Sequence, residues 1–296
     1  MEYDSKIPEL TIVIPCYNEA KNLRIFLPQL ITFCKENNYK LIIINDGSID
    51  ESEKVLSEHL GYENFKIIKH KINKGYGAAI KSGIKEVQTQ YLITIDGDGQ
   101  HNFEDIKKIH LIIKEKDADM IVGSRKNSKP YSLYRHLGKF LIRTVAKILM
   151  PINIYDINSG MKIYKTELAK KYIKLCPDTM AFSDIITLAF INQKYLVLET
   201  PIKINQRIQG ESTINTITAF ETTLALFNIL MLFNPLRIFL PISIILLILG
   251  LFWGIPIIIM GRGLSVGALL AVLSSIALFL LGLVAEQLAA IRKNDL

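Results

Sequence analysis

A chain of 296 residues with a formal net charge of +7 has room for one soluble domain of ordinary size plus a short appendage. The basic balance suits nucleic acid, anionic lipid or a phosphorylated substrate, or simply a solvated surface; no nucleic-acid signature accompanies it, which favours lipid and phosphate. Its three cysteines, Cys16, Cys34 and Cys176, form no CxxC pair and no Cys/His cluster, which argues against a disulfide scaffold or a zinc site and fits a reducing cytosol.

Met1 to Glu9 is polar and acidic, unlike a signal peptide, so the catalytic part is expected in the cytoplasm. Leu10 to Ile14 is a short β-branched apolar run ending at Pro15 and reads as a buried strand. Leu23, Phe26, Leu27, Leu30 and Cys34 recur at helical spacing, with Pro28 predicting a kink or a late start. Leu41–Ile44, Phe65–Ile68, Tyr91–Ile95 and Ala118–Val122 read as further strands, and Tyr195–Leu198 as the last core strand. Glu51–His59 and Gly77–Glu86 read as helices. Strands alternating with helices at this spacing predict an α/β domain with a mostly parallel, Rossmann-like sheet covered on both faces. Ligands of such sheets bind beyond the carboxyl ends of the strands.

Polar clusters fall at those ends. Pro15-Cys-Tyr17-Asn18-Glu19 follows the first strand, Asp46-Gly47-Ser48 the second, Asn73-Lys-Gly75-Tyr-Gly77-Ala-Ala79 the third and Gly123-Ser124-Arg125 the fifth. After the fourth comes Asp96-Gly-Asp98-Gly-Gln100-His101. Two carboxylates one residue apart on a turn repel each other. A divalent cation relieves that repulsion, and Mg²⁺ commonly shares such oxygen ligands with substrate phosphates. A solvated Asp-Gly turn is the plainer reading of the triplet taken alone.

Together the segments VIPCYNE, NDGS, NKGYGAA, DGDGQH and GSR, running in order over about residues 10 to 213, resemble the family 2 glycosyltransferases with the GT-A fold. The nearer likeness is to dolichol-phosphate mannosyltransferase and to the bacterial enzymes that glycosylate undecaprenyl phosphate. Asp156-Ile-Asn-Ser159-Gly160 is similar to their D-x-x-S-G segment, and Arg207-Ile-Gln-Gly210-Glu-Ser212 to their R-x-x-G-x-S segment. Gly99 and Lys162 stand where relatives often have a larger apolar residue and an arginine.

The resemblance implies an inverting, metal-dependent transferase that moves a hexose-type sugar from a UDP- or GDP-linked donor to undecaprenyl or dolichyl phosphate. It implies that Pro15, Tyr17, Glu19 and Asp46 contact base and ribose. Asp96, Asp98 and Gln100 would hold Mg²⁺ or Mn²⁺ and the donor diphosphate, and Arg125 would shape the donor pocket. Arg135, Arg207 and Ser212 would receive the acceptor phosphate. Arginine suits that task because its planar fork pairs bidentately with phosphate. Asp98, Asp156 and Arg207 are the expected catalytic residues, Asp156 as a carboxylate near the acceptor that orients a base or an arginine; Asp184 is a weaker candidate. The implied partners are the nucleotide-sugar, the polyprenyl phosphate and the bilayer, with a homo-oligomer left open and no nucleic acid.

Residues 1–213 are therefore expected to form the cytosolic catalytic domain. Residues 214–235 read as an interfacial amphipathic helix, since the apolar stretch Thr216–Phe233 carries Glu221, which would be costly in hydrocarbon. Residues 236–296 hold two uncharged runs, 238–261 and 263–285, each longer than the roughly 20 residues a spanning helix needs. Only Arg262 interrupts them, so they read as a transmembrane hairpin. Arg292 and Lys293 put both ends in the cytoplasm by the positive-inside rule, and the expected location is the plasma (inner) membrane.

Three rival readings are weaker. A processive polysaccharide synthase of the same fold would carry Q-x-x-R-W, yet the one tryptophan, Trp253, lies in the first membrane run. A non-catalytic membrane scaffold would have no use for both Asp96 and Asp98. A Rossmann dehydrogenase would show GxGxxG after the first strand.

Overall fold

The computed structural model of the protein describes residues 7–125, 154–205, 227, 231 and 234–294. They fall into two compact units, one built from the chain up to about residue 225 and one containing the C-terminal helices.

The first unit is a seven-stranded sheet of order β3-β2-β1-β4-β6-β5-β7. In chain order the strands are β1 (Leu10–Cys16), β2 (Lys40–Asn45), β3 (Phe65–Lys69), β4 (Tyr91–Thr94), β5 (Met120–Ser124), β6 (Lys162–Lys165) and β7 (Val197–Pro201). β1 pairs in parallel with β2 and β4, β2 with β3, and β5 with β7. β6 is antiparallel to both neighbours, with Val122 opposite Lys162 on β5 and Thr94 opposite Lys162 on β4. Helices α1 (Ala20–Asn37), α2 (Ser52–Ser57), α3 (Tyr76–Glu86), α4 (Phe103–Lys116), α5 (Thr166–Tyr172) and α6 (Phe182–Asn192) connect them.

The expected α/β class and mostly parallel sheet are observed. Leu10, Ile12, Ile14, Leu41 and Ile43 are fully buried against Leu23, Leu27 and Leu30 of α1, and each such side chain contributes roughly 1.5–3 kcal/mol by leaving water. α1 starts at Ala20 and runs through Pro28, so the late start expected there does not occur. The ring costs one backbone bond in a helix whose apolar face is otherwise continuous. α4, β6, α5 and α6 were not assigned from sequence. The last strand begins two residues later than expected, and just before it the Leu196 N–H donates to the Asp119 carboxylate at 2.9 Å and not to the sheet.

The second unit holds α7 (Leu236–Ile259) and α8 (Val266–Asn294). The 24 residues of α7 rise roughly 36 Å at about 1.5 Å each, more than the roughly 30 Å of a bilayer core. Both helices are long and apolar enough to cross a membrane. They pack on each other through small residues: a Cβ added at Gly250 would lie 2.9 Å from Val272 Cγ2. Ser275 Oγ donates to the carbonyl of Ser243 at 2.8 Å. α8 continues past the expected limit at residue 285. Glu286 there accepts a hydrogen bond from the Leu236 N–H at 3.2 Å, which satisfies an end group of α7 that has no partner within its own helix. The expected interfacial helix over 214–235 lies outside the described residues apart from 227, 231, 234 and 235.

Candidate active site

The parallel strands end on one edge of the sheet, and β6, being antiparallel, begins there. The segments after β1, β2, β4 and β5 and the segment before β6 therefore converge.

The turns after β1 and β2 are stitched together. Asn18, in the left-handed region at φ 57°, donates its N–H to Ser48 Oγ at 3.0 Å and accepts from the Ile49 N–H at 2.9 Å. Asparagine tolerates that conformation better than most residues. Glu19 donates its N–H to Ser52 Oγ at 3.0 Å, and its carboxylate accepts from Asn22 Nδ2. Pro15 and Cys16 end β1, and Tyr17 just beyond them stays 42% exposed.

Asp46, expected at the base and ribose, is engaged within the fold. It is buried, and its carboxylate accepts from His70 Nδ1 at 2.5 Å, the Lys74 N–H at 3.0 Å and the Gly75 N–H at 2.8 Å. It anchors the loop leading into α3. The first N–H groups of that helix are also engaged, since Gly77 and Ala78 donate to the Asp178 carbonyl at 2.8 and 3.3 Å.

The Asp96–Gln100 turn lies at the centre. Asp96 Oδ1 accepts from the Tyr76 hydroxyl at 3.1 Å, and Asp96 Oδ2 lies 3.5 Å from His101 Nε2. Burial works to raise the Asp96 carboxyl, but the bonds from His101 and Tyr76 and the charge of Arg125 outweigh it and hold the group below its ordinary value. Asp96 is thus kept ionised. Asp98 Oδ1 accepts from the Gln100 N–H at 3.1 Å, which fixes the turn. Gln100 in turn pairs with the chain beyond β7: its carbonyl accepts from the Asn205 N–H at 2.9 Å and its Nε2 donates to the Asn205 carbonyl at 3.3 Å. Gly160 is pressed onto Asp96, so closely that an added Cβ would overlap both carboxylate oxygens.

Arg125 and Asp156 form a forked pair. Nε and the terminal guanidinium nitrogen donate to the two carboxylate oxygens at 2.7 and 2.8 Å, and the Arg125 N–H adds a third bond at 3.0 Å. The pairing raises the Arg125 guanidinium. Burial works to raise the Asp156 carboxyl, but Arg125 outweighs it and holds the group below the usual carboxylate range. Glu199 of β7 supports the turn by accepting from the N–H groups of Tyr155 and Asp156 at 3.0 and 2.9 Å. Asp184 is buried in the first turn of α6. Arg135, Arg207 and Ser212 lie outside the described residues.

Tyr76, His101, Gly160 and Glu199 were given no individual role by the sequence. Three of them sit inside motifs already quoted, but their convergence on Asp96 is tertiary. Glu199 carries no local signal.

Among the described residues no three His, Cys, Asp or Glu side chains cluster as a protein-only metal cage. The oxygen donors of Asp96, Asp98 and Gln100 nevertheless suit Mg²⁺ or Mn²⁺, because a Mg²⁺ site commonly uses one or two carboxylates and completes its shell with substrate phosphates and water. An ionised Asp96 fits that role.

Comparison with known proteins agrees with this architecture. Residues 11–173 match the model for "Glycosyl transferase family 2", and residues 234–291 match "GtrB C-terminal hairpin". The undecaprenyl-phosphate 4-deoxy-4-formamido-L-arabinose transferase of Proteus mirabilis is 27% identical over 70% of this chain and 63% of its own. The dolichyl-phosphate beta-glucosyltransferase of Dictyostelium discoideum is 28% identical over 55% of each. The chain thus spans somewhat under two thirds of the length of these relatives. The fold is similar to that of glucosyl-3-phosphoglycerate synthase from Mycobacterium tuberculosis, crystallised with Mg²⁺ and uridine diphosphate, at a TM-score of 0.58 and 11% identity over 76% of this chain and 80% of that one.

Proposed function

The chain belongs to glycosyl transferase family 2, and from that premise we propose that it moves a sugar from a nucleotide-sugar to a polyprenyl phosphate at a membrane. The observation that carries the proposal is Asp96, held by Tyr76 and His101 beside Asp98 on the ligand edge of the sheet, in a chain that also has two helices of membrane-spanning length. The relatives named for undecaprenyl- and dolichyl-phosphate transfer support the acceptor class.

Pro15, Tyr17, Glu19 and Asp46 contact the base and ribose, and Asp46 also holds the adjoining loop in place. Asp96, Asp98 and Gln100 hold a divalent cation and the donor diphosphate. When bound, the ion stabilises charge on the departing nucleoside diphosphate. Arg125, fixed by Asp156, adds positive potential on the same side. Arg135, Arg207 and Ser212 receive the acceptor phosphate.

One phosphate oxygen attacks the anomeric carbon from the face opposite the leaving group. A carbon–oxygen bond to the lipid phosphate forms as the bond to the donor diphosphate breaks, the nucleoside diphosphate leaves with the electron pair, and the anomeric centre inverts. The acceptor oxygen is already anionic at neutral pH, so the barrier is lowered mainly by positioning and by fixed charges. The catalytic unit faces the cytoplasm of the inner membrane, and a homo-oligomer is compatible with this chemistry.

The test is incubation of the purified protein with polyprenyl phosphate and a panel of UDP- and GDP-sugars, with and without a chelator, followed by mass analysis of the lipid. A lipid heavier by one sugar, formed only with divalent metal, is expected. No modified lipid with any donor would overturn the reading.

A further inference from the structure

Lys162 lies at the start of β6, between β4 and β5, and is fully buried. A buried ammonium is costly unless its hydrogens find partners. Here three acceptors converge on it. Nζ donates to the Ile157 carbonyl at 2.6 Å, to Ser183 Oγ at 2.5 Å and to the Ser183 carbonyl. Ser183 Oγ donates onward to the Ser159 carbonyl at 2.8 Å. The carbonyls of Ile157 and Ser159 are thus both drawn inward onto one amine and its serine partner. Between and beside them the same turn carries Asp156 to Arg125 and Gly160 to Asp96.

Burial pushes the Lys162 amine down to about 7, against the opposing pull of Asp184 on α6, Asp156 in the turn and Asp96 after β4, while Arg125 after β5 adds to the lowering. An aliphatic side chain would fill the strand position without any desolvation cost, so packing alone gives no reason for an amine here.

We propose that Lys162 is a positioning residue for sugar transfer, holding the 156–160 turn so that Asp156 keeps Arg125 in its forked geometry. The proposal rests on the reading of this edge as the transfer site. Lys162 does not touch the reactants in this scheme; it acts through the Asp156–Arg125 pair.

The test uses the full-length protein and the variants Lys162→Met, Lys162→Arg and Ser183→Ala. Hydrogen exchange over the 154–161 segment reads the turn directly, independently of activity. Lys162→Met is expected to speed exchange there while leaving β1 and β2 protected, with Ser183→Ala intermediate. In transfer assays Lys162→Met is expected to lower kcat roughly 10- to 100-fold, the scale of a small misplacement of catalytic groups. Affinity for uridine diphosphate with Mn²⁺ should fall as well, because Arg125 and Asp96 both border the loosened turn, and Lys162→Arg should recover part of both losses. Unchanged exchange in Lys162→Met, or in Ser183→Ala if the Met variant does not fold, overturns the role whatever the activity. Wild-type kcat in Lys162→Met also overturns it and leaves the transferase reading intact. Absence of transfer by the wild type overturns that reading alone, since the exchange result still judges the lysine.

Discussion

Arg125 and Asp156 are 31 positions apart in sequence, yet the guanidinium of one grips the carboxylate of the other at 2.7 and 2.8 Å. A planar fork can do this; an ammonium cannot hold both oxygens in the same plane. Arg125→Lys should therefore lower transfer by roughly 10-fold or more, on the scale of a charge-assisted hydrogen bond. Steady-state kinetics on matched preparations checks this, and wild-type kinetics would remove Arg125 from the site.

The same pair predicts a pH dependence. The Asp156 carboxyl is held below its unfolded value. Its stabilising contribution is therefore present above pH ~4, the ordinary aspartate range, and is lost as pH falls through the depressed folded value. The difference in melting temperature between wild type and Asp156→Asn should be largest near neutrality and should shrink in acid. A difference that grows as pH falls would contradict the ion pair.

Asp98→Ala should leave the protein folded and lower transfer by roughly 10²–10³-fold, the usual effect of deleting one electrostatic contact to a transition state. Circular dichroism and transfer assays over a range of Mn²⁺ concentrations decide it. Transfer at the wild-type rate in metal-replete buffer would end the metal role of Asp98.

Gly160→Ala tests the close approach to Asp96. The added methyl would overlap the carboxylate, which is held from its other sides by Tyr76 and His101. A forced overlap of this kind typically costs about 1–3 kcal/mol. Weaker binding of nucleotide with Mn²⁺, measured by calorimetry, should accompany the lower stability. Unchanged binding would mean that the Asp96 position is unimportant for the donor.

Arg207→Ala should weaken dependence on the lipid and spare the donor, because a lipid phosphate stays near the head-group plane and Arg207 is close in sequence to the membrane segment. Loss of a charged hydrogen bond of about 1.5–3 kcal/mol corresponds to roughly one to two orders of magnitude. Parallel titrations of nucleotide-sugar and polyprenyl phosphate separate the two sites. A collapse of donor affinity alone would move Arg207 to the diphosphate site.

The strands legible in the sequence are those whose burial on both faces writes an unbroken apolar run, as in Leu10–Ile14 and Leu41–Ile44. β6 was hidden because its first residue is a buried lysine, which reads as surface. α4 was blurred in the same way by buried Asp105 and His110. The donor motifs were legible because short polar clusters follow strands directly. The partners of Asp96 and Asp156 were not, because they are set by convergence of segments distant in sequence. Asp46 shows the opposite limit: its motif was recognised, but only tertiary contacts reveal that its carboxylate is engaged internally.

The antiparallel course of β6 has a consequence for how such a protein can diversify. β5 ends, and β6 begins, on the same edge of the sheet, so the connection between them, residues 126–153, starts and finishes on that one edge. Its ends are clasped by Arg125 and Asp156. Lengthening such an excursion costs little, about 0.6 kcal/mol of closure entropy for each doubling. The stretch between the clasps can thus be exchanged for one of different length or chemistry while the strands and the carboxylate turn stay as they are.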